Sequence, residues 1–251
     1  MDVTTALVMA AFAFGVGAYG TVIGAGGGFV LIPGLVLLFE LEGAEAVGTG
    51  VVTLLAIGLS GAIAYDRAGM VDRTGALSFA LGTVPSALLC AWLLSARIDR
   101  SLFADLLGIL LLALAVFVLA TSHSAADRAT GCPDGRRTLL PPCGAAVGFL
   151  SGTIAVGGGL VTLTILARTR RLTPHRAAAT TAAASMLGTI GGAAGHIAAG
   201  NVVWRDAGVL IVGAAAGSAV GARVARRLSA RLVLALVAVG LVGAGVPLLL
   251  G

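Results

Sequence analysis

Lysine and glutamine are both absent from this 251-residue chain, and Asn201 is its only asparagine. Charged residues make up 11% of it, against about 25% in soluble domains. Hydrophobic residues reach 58% and mean hydropathy is +1.05, which excludes a soluble domain and describes a polytopic membrane protein. Codon bias in a GC-rich genome accounts for the missing lysine. No Gly-Lys-Ser/Thr closes a glycine-rich loop, so the chain has no P-loop with which to use ATP. The net charge of +5 comes from arginine alone. These arginines sit in short loops between apolar segments, as orientation signals do, and no nucleic-acid partner is expected. Three cysteines make neither a disulfide framework nor a metal-ligand spacing. Cys90 falls in an apolar span as a small core residue, whereas Cys132 and Cys143 flank one loop and can pair if it faces an oxidising compartment. No cluster of histidine, cysteine and carboxylate supplies a metal site or a triad, so neither an enzyme nor a cofactor is expected. The first basic residue is Arg67, too late for the basic start of a signal peptide.

What is present is glycine, 38 of them, and long apolar runs. No charge occurs from Val3 to Phe39. One straight helix over that run would exceed about 50 Å, against a hydrocarbon core of about 30 Å. The run must tilt, break or fold back. Gly24-Ala25-Gly26-Gly27-Gly28, with Pro33 five residues on, is where a helix breaks most cheaply. Broken backbone at membrane depth survives only buried in protein or lining a wet cavity. A second copy stands at Ala155-Val156-Gly157-Gly158-Gly159-Leu160. Apolar spans are expected at 4–39, 46–65, 74–94, 102–121, 143–167, 177–199, 207–222 and 232–250. The expected fold is an all-α polytopic membrane protein with about eight transmembrane helices in two four-helix repeats, each with a Gly-rich break. Residues 1–122 form the first repeat, 123–142 a linker loop rich in charge and proline, and 143–251 the second repeat. The halves align: Gly26-Gly27-Gly28 falls on Gly157-Gly158-Gly159, Ala46 and Thr49 on Ala177 and Thr180, and Gly61 and Tyr65 on Gly192 and His196. A two-residue shift then carries Ala76-Leu77 onto Val209-Leu210. Internal repeats of this kind are common in secondary transporters, with the site near the repeat interface. With eight simple crossings, Arg97, Arg100, Arg168, Arg170, Arg171, Arg176, Arg223, Arg226, Arg227 and Arg231 share one side. Arg67, Arg73, Arg128, Arg136, Arg137 and Arg205 share the other, with the loop of Cys132 and Cys143. The first side is then cytoplasmic and both termini are extracytoplasmic.

Each candidate for chemistry has a bland alternative. Gly15-Val16-Gly17-Ala18-Tyr19-Gly20 matches the dinucleotide pattern, but it lies inside a membrane-length run with no βαβ unit around it. Glycines four apart, such as Gly213, Gly217 and Gly221, serve close helix packing. The two triplets differ, because a half-helix beginning there offers free N–H groups and a positive dipole end to an anion. Thr181, Ser185, Thr189, Gly192 and His196 share one helix face, as do Thr49, Thr53 and Ser60. They line a polar path, or bond back to their own i−4 carbonyls. His196 is a proton carrier or an interfacial residue like its counterpart Tyr65.

The first break with Pro33, then Ala46 and Thr49, and the echo at Gly157-Gly158-Gly159, Ala177 and Thr180 resemble the TauE/SafE family of sulfite exporters over nearly the whole chain. The second copy departs from the first, since Thr164 stands where Pro33 would repeat. The resemblance implies a cytoplasmic-membrane permease for small anions, sulfite or other sulfur-containing or organosulfonate anions, coupled to protons. The partners then are the lipid bilayer, a small anion and protons, with a homo-oligomer left open. Substrate binding is assigned to Gly26, Gly27, Gly28, Pro33, Thr49, Thr53, Gly157, Gly158, Gly159, Thr180, Thr181, Ser185 and His196. A membrane scaffold whose glycines only pack helices is the competing class. A cation permease is disfavoured, because Asp105 at a span edge is the nearest intramembrane carboxylate.

Overall fold

The structure, a computed structural model, describes residues 2–23, 26–93, 139–154 and 158–225, with the single positions 109, 112, 113, 116, 232, 239, 242, 243 and 246. The expected spans at 102–121 and 232–250 lie mostly outside these residues, as do Gly157 and Cys132. The regular elements described are all helical: α1 (Val3–Ile23), α2 (Gly28–Leu38), α3 (Gly43–Arg67), α4 (Arg73–Leu93), α5 (Leu140–Ile154), α6 (Gly158–Thr169), α7 (Pro174–Ala198) and α8 (Trp204–Ala225). By length and hydropathy α1, α3, α4 and α8 are able to cross a membrane, and α2 is a shorter apolar helix.

The uncharged run from Val3 to Phe39 folds back on itself. Gly26 and Gly27 take φ of +80° and +78°, left-handed values that a Cβ makes costly. The Gly26 N–H donates to the Gly20 carbonyl at 3.2 Å, ending α1, while Val30 and Leu31 N–H groups both donate to Gly27 O at 3.0 Å, starting α2. The return is antiparallel: Tyr19 meets Phe29 with ring centroids 6.0 Å apart, Gly34 faces Phe12, and Phe12 meets Phe39 at 5.8 Å. α5 and α6 make a second hairpin, in which Gly158 faces back onto Ser151 and Val147. Pro33 is buried within α2, where its missing N–H removes one rung of the helix.

Glycine faces bring the other helices together. Gly17 faces Ala214, Gly213 faces Ala10, Gly217 faces Phe14 and Gly221 faces Ala18, so closely that a Cβ on any would collide with backbone. α1 and α8 therefore run parallel and pack backbone to backbone. Gly144, Gly148 and Gly152 do the same for α5 against Phe79, Thr83 and Ala87 of α4. Through the middle, Gly58 of α3 faces Met186 of α7 and Gly192 faces Val51, an antiparallel crossing. In consequence α1, α3 and α8 run one way, while α4, α5 and α7 run the other.

One spacing relates these contacts. Thr49 Oγ1 accepts the Val203 N–H at 3.0 Å, and Thr180 Oγ1 accepts the Asp72 N–H at 3.0 Å, the same pair displaced by 131 residues. The Ala76 N–H donates to Asp72 O and the Ala207 N–H to Val203 O, at that same displacement. The expected two-residue shift onto Val209-Leu210 is therefore absent: Ala76, Phe79, Gly82 and Thr83 occupy the places of Ala207, Leu210, Gly213 and Ala214, all buried. The apparent shift came from matching similar apolar letters, whereas the packed faces keep strict register.

The hairpins also regroup the arginines. Arg170 Nε donates to Asp72 Oδ2 at 2.7 Å, with both side chains largely buried. Arg170 and Arg73 are thus at one end of the molecule, not on opposite sides as eight simple crossings would require. That end collects Arg67, Arg73, Arg170, Arg171, Arg176 and Arg223, together with the start of α5 and Cys143. The other holds Asp2, Glu40, Glu42, Glu45, Asp206 and a single described arginine, Arg205.

Candidate functional site

A cavity of about 80 Å³ lies between the two hairpin tips, level with the middle of α3, α4 and α7. One water needs about 10–15 Å³ on this measure, so there is room for several waters or a small anion. From the first hairpin Gly20, Thr21, Gly26 and Gly28 line it; from the second come Ser151, Gly158, Gly159 and Thr162. α3 adds Val51, Leu54, Ile57, Gly58, Gly61 and Tyr65, and α7 adds Ser185, Met186, Gly188, Thr189 and Gly192. Among the described residues, no aspartate, glutamate, lysine, arginine or histidine lines it. The first turns of α2 and α6 abut the cavity, and N–H groups at a helix start have no acceptor inside their own helix. These amides and hydroxyls are donors without net charge, a chemistry suited to an oxyanion.

Most hydroxyls nearby are already committed. Thr83 donates to Phe79 O at 3.0 Å and Thr189 to Ser185 O at 2.7 Å, each bonding back one turn. Thr21 Oγ1 donates to Ser218 Oγ at 2.8 Å, and Ser218 in turn donates to Ile57 O at 3.1 Å. Ser185 and Thr181 differ, because both hydroxyls are buried without a partner. An unsatisfied buried hydroxyl costs about 1–3 kcal/mol, so such a group marks a place for a ligand or water.

Of the residues singled out from the sequence, Gly26, Gly28, Gly158, Gly159 and Ser185 meet at this cavity. Gly27 does not line it; it packs against Val16 and Gly20 and shapes the first tip. Thr49, Thr53 and Thr180 lie near the starts of the long helices. There Thr53 donates to Thr49 O at 2.9 Å, Thr180 donates to Arg176 O at 2.7 Å, and Thr49 and Thr180 hold the loop amides described above. Thr181 is buried one turn from Ser185 on α7.

His196 is fully buried and away from the cavity, with Nε2 at 3.2 Å from Gly152 O and Nδ1 at 3.4 Å from Asn201 Nδ2. A carbonyl only accepts and an amide NH₂ only donates, so Nε2 carries the proton and Nδ1 accepts. Its counterpart Tyr65 donates its hydroxyl to Thr21 O at 3.2 Å. Both side chains thus satisfy the equivalent orphan carbonyl at the end of a hairpin's first helix. Thr21, Tyr65, Thr83, Ser151 and Thr162 were not singled out as site residues. Only Tyr65 carried a signal, its alignment with His196; Thr21, Ser151 and Thr162 are brought in by the hairpins and Thr83 by the packing of α4.

Membrane-length apolar helices, two helical hairpins and a central donor-lined cavity fit a multi-pass membrane transporter. The chain belongs to the Sulfite exporter TauE/SafE family, whose sequence profile matches residues 9–248. It is 26% identical over 223 residues to "Probable membrane transporter protein YunE" of Bacillus subtilis (strain 168), covering 79% of this chain and 80% of that one. It is 27% identical over 191 residues to "Probable membrane transporter protein MJ0441" of Methanocaldococcus jannaschii, covering 74% and 70%. No solved structure matches the chain.

Proposed function

We propose that the protein is a secondary transporter of small anions, sulfite or other sulfur-containing or organosulfonate anions, and that the cavity between the hairpin tips is its substrate site. The observation that carries this reading is that both glycine tips reach one cavity lined, among the described residues, by donors and by no carboxylate. A cation would find no counter-charge among these described residues, and a packing scaffold has no need of a cavity between two helix breaks. The family's name supplies the sulfur anion. The two halves act as inverted repeats, since each described helix of the second runs against its counterpart and their contacts recur at one spacing. Rocking of one repeat against the other about the fixed site would expose it to alternate sides. Coupling to protons is part of the reading, with the proton riding on the substrate, because no described lining residue is an acid or a histidine and both nitrogens of His196 are engaged. Sulfite suits this role, as its second ionisation lies near neutrality.

The arginine-rich end faces the cytoplasm under the positive-inside rule. This keeps the N-terminus extracytoplasmic but moves the end holding Cys143 to the cytoplasmic side. Purified protein in proteoliposomes should take up radiolabelled sulfite, faster with a pH gradient than without. Protein-free vesicles should not. Absence of flux for sulfite, sulfoacetate and sulfate in either direction would overturn the assignment.

A further inference from the structure

The two lobes of the cavity are unequal. At the spacing that relates the halves, Ser185 stands where the first half has Leu54, Ser151 where it has Gly20, and Thr189 where it has Gly58. The hydroxyl of Ser151 lies against Gly158 at the start of α6, where a Cβ would strike it. Ser185 does not bond back one turn as Thr189 does, and its Oγ is buried without a partner. Near the first tip the hydroxyls of Thr21 and Tyr65 are spent on Ser218 and on the Thr21 carbonyl, and the wall is Val51, Leu54 and Ile57. A symmetric frame therefore encloses a one-sided site.

We propose that the anionic head of the substrate is held only at the second tip, by Ser185 and Ser151 beside the first turn of α6, and that Val51, Leu54 and Ile57 face an apolar part of it. The ligand class is a small anion with one compact oxyanion head, either bare, as in hydrogensulfite, which leaves the apolar wall unfilled, or carrying a short apolar substituent that fills it. An anion charged at both ends is refused, because its second charge would lose its water against an apolar wall without gaining a donor. This inference rests on the cavity being the substrate site. It deepens that reading by assigning the two lobes.

The test is calorimetric titration of the full-length protein in detergent with propane-1-sulfonate, methanesulfonate, sulfite and ethane-1,2-disulfonate. Propane-1-sulfonate should bind at least about tenfold more tightly than ethane-1,2-disulfonate, and Ser185→Ala should weaken propane-1-sulfonate by about tenfold. Leu54→Ser should narrow the preference between the two, while Leu54→Met, which keeps the wall apolar, should retain it. Equal or tighter binding of the disulfonate by the unaltered protein would overturn the two-lobe assignment while leaving an anion site intact. So would an unchanged affinity in Ser185→Ala, or loss of the preference in both Leu54 variants. Binding of none of the four anions would overturn the site itself and this inference with it.

Discussion

At the scale of single residues, His196 shows how a polar group in an apolar helix can be structural. Its ring holds the Gly152 carbonyl on one nitrogen and the Asn201 amide on the other. Tyr65 performs the first of these tasks for Thr21 in the other half. A residue whose task is to donate to one carbonyl should be replaceable by the residue that does so in the equivalent place. His196→Tyr is expected to retain most transport and thermal stability. His196→Ala leaves a buried carbonyl without a donor and should lower stability by about 1–3 kcal/mol. Transition temperatures and sulfite flux of the two variants check this. A Tyr variant as impaired as the Ala variant, in a fold of unchanged stability, would return the histidine to a role in coupling. The pairing of Tyr65 with His196 was legible in the alignment of the halves. The task was not, because nothing local says that the end of a helix from another segment will lie against them.

At the scale of elements, the end that gathers the arginines is tied by Asp72. Its backbone N–H donates to Thr180, its Oδ1 accepts from the Gly75 N–H at 3.1 Å, and Oδ2 accepts from Arg170. Burial alone would raise the pKa of this carboxyl, yet the Arg170 hydrogen bond, the Gly75 N–H and the charges of Arg170 and Arg176 together outweigh it and hold it below the ordinary carboxylate value. A group whose folded pKa is depressed contributes stability above its unfolded pKa, about 3.9, and loses it as pH falls through the lower folded value. The tie between α4 and α6 should therefore be fully present from pH 5 to 8 and weaken only in more acid solution. Asp72→Asn should lower thermal stability at pH 7 and flatten the acid limb of the stability curve. Melting temperatures of both proteins between pH 3 and 8 test this. An unflattened acid limb in the variant would assign the acid loss to other carboxylates.

At the scale of the whole molecule, two hairpins that return to their own side change which loops share a face. The four membrane-length apolar helices were legible from their long uncharged runs, and the breaks were legible as glycine triplets. The way the chain left each break was not legible, and the arginines were divided as though it crossed straight through. The resulting orientation is checked in a cysteine-free background by single cysteines at two exposed positions. Ala198→Cys, at the acidic end, should react with a membrane-impermeant maleimide in intact cells, and Ala68→Cys, at the arginine-rich end, only after permeabilisation. The opposite pattern would invert the topology while leaving the internal architecture untouched.

The amino-acid sequence alone settles the solvent of this protein, its helical class and its two glycine-rich segments. Each of these follows from composition or from periodicity within one segment. Tertiary structure alone decided the reversal of each hairpin, the meeting of both tips at one cavity and the commitment of Thr49, Thr53 and Thr180 to neighbouring backbone. It also decided which hydroxyls were left over. A threonine that bonds to its own helix and a serine that bonds to nothing look alike in a string of letters. Their difference is made by what packs against them, and that comes from residues more than a hundred positions away.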